Sequence, residues 1–160
     1  ECDWSSDVCS SDLKSMGNKG FSLVELIIVI AIMAILVGVL APQLLKYVER
    51  SRQAKDTQAV DTVHTAIVTA MLDPMVTDAP ATATYNSLAD LYSDSTDHDE
   101  FVKAVQEISN QSDATKVEGD AFTSKAYQKK NIKITIKDNK VTCEVDVNSG
   151  VADAKAIKIE

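Results

Sequence analysis

The sequence lacks most of what an enzyme needs. It contains no G-x-S-x-G nucleophile elbow, no glycine-rich phosphate loop and no dinucleotide-binding glycine fingerprint. Its two histidines, His64 and His98, have neither a cysteine nor a second histidine at metal-ligand spacing. Asp61 stands one helical turn before His64 and His98 lies among acids, and both histidines read as surface side chains. The sequence therefore predicts no enzyme, no cofactor and no metal centre. Basic excess is also missing: the formal net charge is −8, so nothing argues for a nucleic-acid partner held on a basic surface. Cysteine is scarce, at 3 residues, and the single tryptophan lies near the start of the chain.

The opening residues need separate treatment. Asp3-Trp4-Ser5-Ser6-Asp7-Val8-Cys9-Ser10-Ser11-Asp12-Leu13 can be encoded by a string that resembles a standard sequencing-library adapter. That string ends in CT, which forces Leu at the last codon whatever base follows, and Leu13 is Leu. Residues 1–13 are therefore read as a non-biological segment and left out of the fold. Their removal moves the net charge from −8 to −4 and takes away the tryptophan and two cysteines. Cys143 then stands alone and has no partner for an intramolecular disulfide.

One absence is itself a motif. From Leu26 to Ala41 no polar side chain occurs. With Phe21 to Glu25 this makes a stretch carrying one charge, long enough to cross a hydrocarbon core of about 30 Å at roughly 1.5 Å per residue. A carboxylate in such a segment costs on the order of 3 kcal/mol to insert, which makes Glu25 a functional candidate. A plain anchor would not explain Glu25 or the Lys19-Gly20-Phe21 before it.

The stretch GFSLVELIIVIAIMAIL resembles the N-terminus of type IV pilins and their pseudopilin relatives. Gly precedes the cut in that family, Phe follows it, and Glu lies four positions further on. The resemblance covers about Lys19 to Asp56. It implies a prepilin cleaved after Gly20, N-methylated on Phe21, and assembled through Glu25 and the apolar helix. It implies as partners a prepilin peptidase/methyltransferase, a membrane assembly machinery, membrane lipid before assembly, and further pilins in a homopolymer or mixed filament. The location implied is the cytoplasmic membrane as a single-pass precursor, then a cell-surface filament. Many members close a C-terminal loop with a disulfide, and the lone Cys143 departs from that pattern.

Residues 14–20 form the leader of this reading, with Met16 as one candidate start. Lys14 and Lys19 would hold it in the cytoplasm, yet Lys46, Arg50, Arg52 and Lys55 give the other flank more positive charge. Orientation thus rests on the resemblance. An ordinary secretory signal is the alternative, cut after Val39-Leu40-Ala41, but Pro42 would then follow the cut and fits an extended protease groove poorly.

The remaining periodicities predict an α+β fold. Leu44, Leu45, Val48, Ala59, Val63, Ile67, Ala70 and Met71 recur at helical spacing, so a helix is expected from Phe21 to Leu72, ended by Asp73-Pro74. Gly38 and Pro42 are expected to interrupt it, in a region that in pilins bends or loses helicity on packing. Residues 75–97 read as a loop covering this spine, with a short helix around Leu88, Leu91 and Tyr92. A further helix is expected from about Asp97 to Ser109, with Phe101, Val102, Val105 and Ile108 inward and Asp97 with Glu100 as a capping pair. The acids Asp94, Asp97, Asp99 and Glu100 lack the glycine and ligand spacing of a calcium loop and read as a solvated cap.

The C-terminal third changes to period two. Ile132, Ile134 and Ile136, then Val141, Cys143, Val145 and Val147, predict two half-buried strands. Lys137-Asp138-Asn139-Lys140 joins them as a hairpin, Asn148-Ser149-Gly150 is a second turn, and Ile157 and Ile159 suggest a third strand. The expected architecture is a long N-terminal helix, membrane-spanning in its first half (21–45), and a soluble head (46–160) with an antiparallel sheet of three or more strands. Cys143 is expected in the core. Such a chain is expected to be a structural filament subunit. The alternative is a non-polymerising, membrane-anchored protein with an extracytoplasmic binding domain.

Overall fold

The computed structural model describes residues 20–94, 97–151 and 154–160. The segment read as adapter-derived, and all of the leader but Gly20, lie outside the described residues. Two compact units emerge, one ending at Pro42 and the other comprising Gln43–Glu160.

A single helix, α1 (Leu23–Leu72), carries the apolar run and continues into the second unit. The expected interruption is not seen: Pro42 lies inside the helix, and Gly38 is helical with open space around it. Proline removes one hydrogen bond, to the carbonyl of residue 38, while the neighbouring bonds along a 50-residue helix remain available.

In the second unit α1 buries Asp56, Val60, Val63, Ala66, Ile67 and Ala70. These recur every three or four residues and so share one face. The expected stripe started earlier. Leu44, Leu45 and Val48 are instead exposed, so the face that meets the core begins only at Asp56.

Four strands form one antiparallel sheet in the order β1 (Thr82–Tyr85), β2 (Lys133–Lys137), β3 (Lys140–Val145), β4 (Ile157–Ile159). The central hairpin pairs Lys137 with Lys140 across Asp138 and Asn139, whose φ angles are 51° and 62°. Positive φ at both residues matches the twist of the flanking strands, and Asp and Asn tolerate it best after glycine. Tyr85, Ile134, Ile136, Val141, Cys143, Val145 and Ile157 point inward and join the core with Val60, Val63 and Ile67 of α1. Cys143 lies opposite Ile134 on one side and Ile159 on the other.

Strand β1 was not expected, because Thr82-Ala83-Thr84-Tyr85 shows only a weak alternation and one buried residue. It adds to the edge of β2 by register, with Tyr85 opposite Ile134. Between β1 and β2 lie two helices, α2 (Leu88–Ser93) and α3 (Asp99–Ser109). Ser87 caps α2, its Oγ accepting from Asp90 N at 3.0 Å. Phe101, Val102 and Val105 of α3 are buried as expected, while Ile108 stays exposed.

The cap of α3 differs from the expected Asp97–Glu100 pair. His98 occupies the N-cap position without a side-chain bond to the helix it precedes. The capping carboxylate is Asp78, from the preceding loop: Oδ2 accepts from Glu100 N at 2.9 Å and Oδ1 from Phe101 N at 2.8 Å. Glu100 turns away, its Oε2 accepting from Thr77 Oγ1 at 3.0 Å. Local spacing cannot reveal a cap supplied from more than twenty residues away. Asp78→Ala is expected to cost about 1–2 kcal/mol in urea unfolding of the full chain, whereas Asp97→Ala stays within about 0.5 kcal/mol. The reverse ranking would return the cap to Asp97.

Candidate functional site

The N-terminal motif is open along its whole length. Gly20, Phe21 and Ser22 precede the helix, and Phe21 is 91% exposed. No neighbour lies within 4 Å of a Cβ built on Gly20. The Gly20–Phe21 peptide is therefore non-helical and reachable. Among the described residues α1 is the helix long and apolar enough to cross a membrane, and its most apolar window buries nothing against the protein. That separates it from the core helix of a soluble domain, which would be covered.

Glu25 has a structural partner that its sequence environment announces. Its Oε2 accepts from Ser22 N at 2.8 Å, and Ser22 O accepts from Leu26 N at 3.1 Å. Ser22 thus stands at the N-cap, and Ser22-Leu23-Val24-Glu25 is the S-x-x-E pattern in which the third helical residue reaches back to the cap amide. The sequence reading missed this because the apolar run drew attention to the cost of the charge. The bond turns the carboxylate toward residues 21 and 22. Only one of its two oxygens is engaged by it.

In the second unit, carboxylates on one chain segment hold the backbone of another. Asp56 is 3% exposed. Its Oδ1 accepts from Thr123 N at 2.9 Å and Thr123 Oγ1 at 3.1 Å, and its Oδ2 from Ser124 N at 2.8 Å. About two turns earlier, Glu49 Oε1 accepts from Lys125 N at 2.7 Å. The far side of this loop is held by Asn148, whose Nδ2 donates to Lys125 O at 3.1 Å and Gln128 O at 2.9 Å.

Glu118 does the same for α2 and β2. It is 6% exposed. Oε2 accepts from Leu88 N and Ile132 N, each at 2.9 Å, and Oε1 from Ala89 N at 3.1 Å. A buried carboxylate is stable here because backbone N–H groups replace its water shell, and two of the three belong to a helix N-terminus.

Neither histidine is the surface residue expected. His64 is half-buried, with Nε2 3.3 Å from Val141 O, so it bridges α1 to β3. His98 is half-buried with Nδ1 3.0 Å from Asp94 Oδ2, and the same oxygen accepts from Tyr85 Oη at 2.7 Å. Burial, with Asp94 beside it, holds the Tyr85 hydroxyl well above the usual phenol range. The remaining acids disperse: Asp99 pairs with Lys103 and Glu100 with Thr77. Among the described residues no group of three or more His, Cys, Asp or Glu side chains is arranged to hold a metal.

These features define a prepilin-type N-terminal segment joined to an α+β head. Residues 15–41 match the family model described as the prokaryotic N-terminal methylation motif. The chain is also similar to three type IV major fimbrial proteins FimA of Dichelobacter nodosus, each 41% identical over 61 residues. That similarity covers 38% of this chain and 38% of the length of each relative. No solved structure matches. Through this segment the chain is similar to type IV pilins, and the similarity spans well under half of the relatives' length.

Cys143 is free and completely buried, and burial pushes its thiol up to about 12 from an ordinary value of 9.0. The folded state therefore keeps its proton where the unfolded state loses it. Stability is intact below about pH 9 and falls as pH rises from there toward 12. Cys143→Val is expected to change the unfolding free energy by less than about 1.5 kcal/mol at pH 7 and to flatten its decline between pH 9 and 10. An undiminished decline would assign it elsewhere. Glu118→Ala leaves three backbone donors without their acceptor and is expected to cost at least about 3 kcal/mol, with Glu118→Gln intermediate because one oxygen remains. Equal losses in the two variants, read by urea unfolding, would contradict the two-oxygen arrangement.

Proposed function

We propose that this chain is a structural subunit of a type IV pilus or pseudopilus-like filament. The observation that carries the reading is a bare apolar helix with one carboxylate at its entrance, directly after an exposed Gly20–Phe21 link. The precursor sits in the cytoplasmic membrane through residues 21–45. A membrane peptidase hydrolyses the Gly20–Phe21 bond, releasing residues before it and freeing the amine of Phe21, which the same class of enzyme methylates. The membrane assembly machinery then moves the subunit into a surface filament, alone or mixed with other pilins. Residues 46–160 are the head.

Glu25 explains why cleavage would license assembly. In hydrocarbon a lone ammonium and a lone carboxylate are each costly, and their attraction is far stronger than in water. The new amine of one subunit pairs with Glu25 of a neighbour. The cap to Ser22 uses Oε2 and leaves Oε1 for that amine. The pairing fixes the axial register of helices whose other contacts are apolar and would slide. Packing could then draw on the weak point at Gly38 and Pro42, where one helical bond is already missing.

Two substitutions separate the cap from the charge. Glu25→Gln keeps an acceptor for Ser22 N and removes the charge, while Glu25→Ala removes both. Both are expected to insert in the membrane and fold their heads, and both to reduce sheared surface filaments at least tenfold in cells lacking the unmutated subunit. Intact mass of the unmutated protein from those filaments should begin at methylated Phe21. Abundant filaments from Glu25→Gln would sink the charge-pairing mechanism. A mature protein that begins at Pro42, or never enters filaments, would favour a secreted or merely anchored binding protein.

A further inference from the structure

The start of the second unit carries four bases that the head does not use. Lys46, Arg50, Arg52 and Lys55 are all exposed, and none forms an ion pair among the described residues. Glu49, three residues from Lys46 and from Arg52, and Asp56, four residues from Arg52, would on an ordinary surface helix pair with these bases. Here both are diverted. Glu49 accepts from Lys125 N and Asp56 from Thr123 and Ser124, so each carboxylate is committed to the 123–125 loop. Among the described residues the cations face solvent with no carboxylate at ion-pair distance. Tyr47, 71% exposed, stands among them.

This cluster begins five residues after the apolar run ends at Ala41. Aromatic rings with a polar tip, and long basic side chains, concentrate where a spanning helix leaves hydrocarbon for the headgroup layer. That layer is roughly 5–8 Å deep on each side. Lys46 to Lys55 rises about 13 Å along the helix. Exposed Leu44 and Leu45 extend the apolar surface by a further turn. Counted from Leu45, the backbone of Lys46, Tyr47 and Arg50 rises about 2 to 8 Å, at headgroup depth, while the long side chains of Arg52 and Lys55 reach back toward it. Guanidinium groups suit phosphate diesters because two parallel N–H bonds match two phosphate oxygens. Exposed bases on this flank also run against the usual charge bias of membrane proteins, which a role in lipid contact accounts for.

We propose that Lys46, Arg50, Arg52 and Lys55, with Tyr47, form a collar that binds anionic phospholipid headgroups of the membrane spanned by α1. The collar fixes the depth of the helix and holds the base of the head at the bilayer surface. It rests on the reading that the apolar run spans a membrane and is independent of filament assembly.

The test uses the full chain reconstituted in phosphatidylcholine vesicles containing one quarter phosphatidylglycerol, with spin-labelled probes of each lipid. The motionally restricted fraction reports the first lipid shell. Phosphatidylglycerol is expected to be enriched there severalfold over phosphatidylcholine, and the preference to fall as salt is raised to 1 M. Removing one base is expected to lower the preference by up to about fivefold. The combined Lys46→Gln, Arg50→Gln, Arg52→Gln, Lys55→Gln chain should lose it. Arg50→Lys with Arg52→Lys, which keeps the charges, should retain most of it and guards against loss through misfolding. Equal restriction of both lipids by the unmutated chain would overturn the collar. So would a quadruple variant that keeps the phosphatidylglycerol preference but forms no filaments, since the bases would then meet acids of a second copy. Headgroup preference in a chain that never enters filaments supports the collar and counts against the filament function alone.

Discussion

A carboxylate that replaces water with backbone amides organises the head. Asp56 is the clearest case: it sits on the buried face of α1, where a charge would ordinarily be excluded, and takes three hydrogen bonds from Thr123 and Ser124. Isolated burial of such a group would be prohibitive, and the amides are what make it stable. The loop it holds carries Phe122, Ala126 and Tyr127 into the core. Glu118 repeats the device, joining α2 to the start of β2, and Asp78 repeats it at α3. Long connections between β1 and β2 are thereby fixed at three points that lie far from one another in the chain.

Periodic patterns showed most of the fold in advance. The alternation of Ile132 to Ile136 and Val141 to Val145 located the hairpin, and Asp138-Asn139 its turn, because both signals are local. Strand β1 was hidden for the opposite reason: Thr82 to Tyr85 is an edge strand with little to bury, and only β2 specifies it. The α3 cap and the half-buried states of His64 and His98 were hidden likewise, since Asp78, Val141 and Asp94 become their neighbours through tertiary contact. Leu44, Leu45 and Val48 misled because helical spacing identifies a face without saying what covers it.

The N-terminal motif was legible as a motif, and its geometry added a second role to its central residue. Glu25 secures the first turn of a helix whose most apolar window is uncovered among the described residues. Under the proposed assembly mechanism the residue that starts the helix would also meet a neighbour, linking the folding of one subunit to its recognition by the next. The observed cap draws on the acceptor geometry of Oε2, and the proposed pairing would draw on the charge. Gln at this position would satisfy the first and fail the second.

Among the described residues Cys143 is the one cysteine, and it lies sealed between Ile134 and Ile159. The loops that a covalent crosslink would otherwise restrain are restrained by oxygen–amide contacts. The described head thus holds its shape without a disulfide. Among the described residues of the head, redox conditions therefore have no disulfide to make or break.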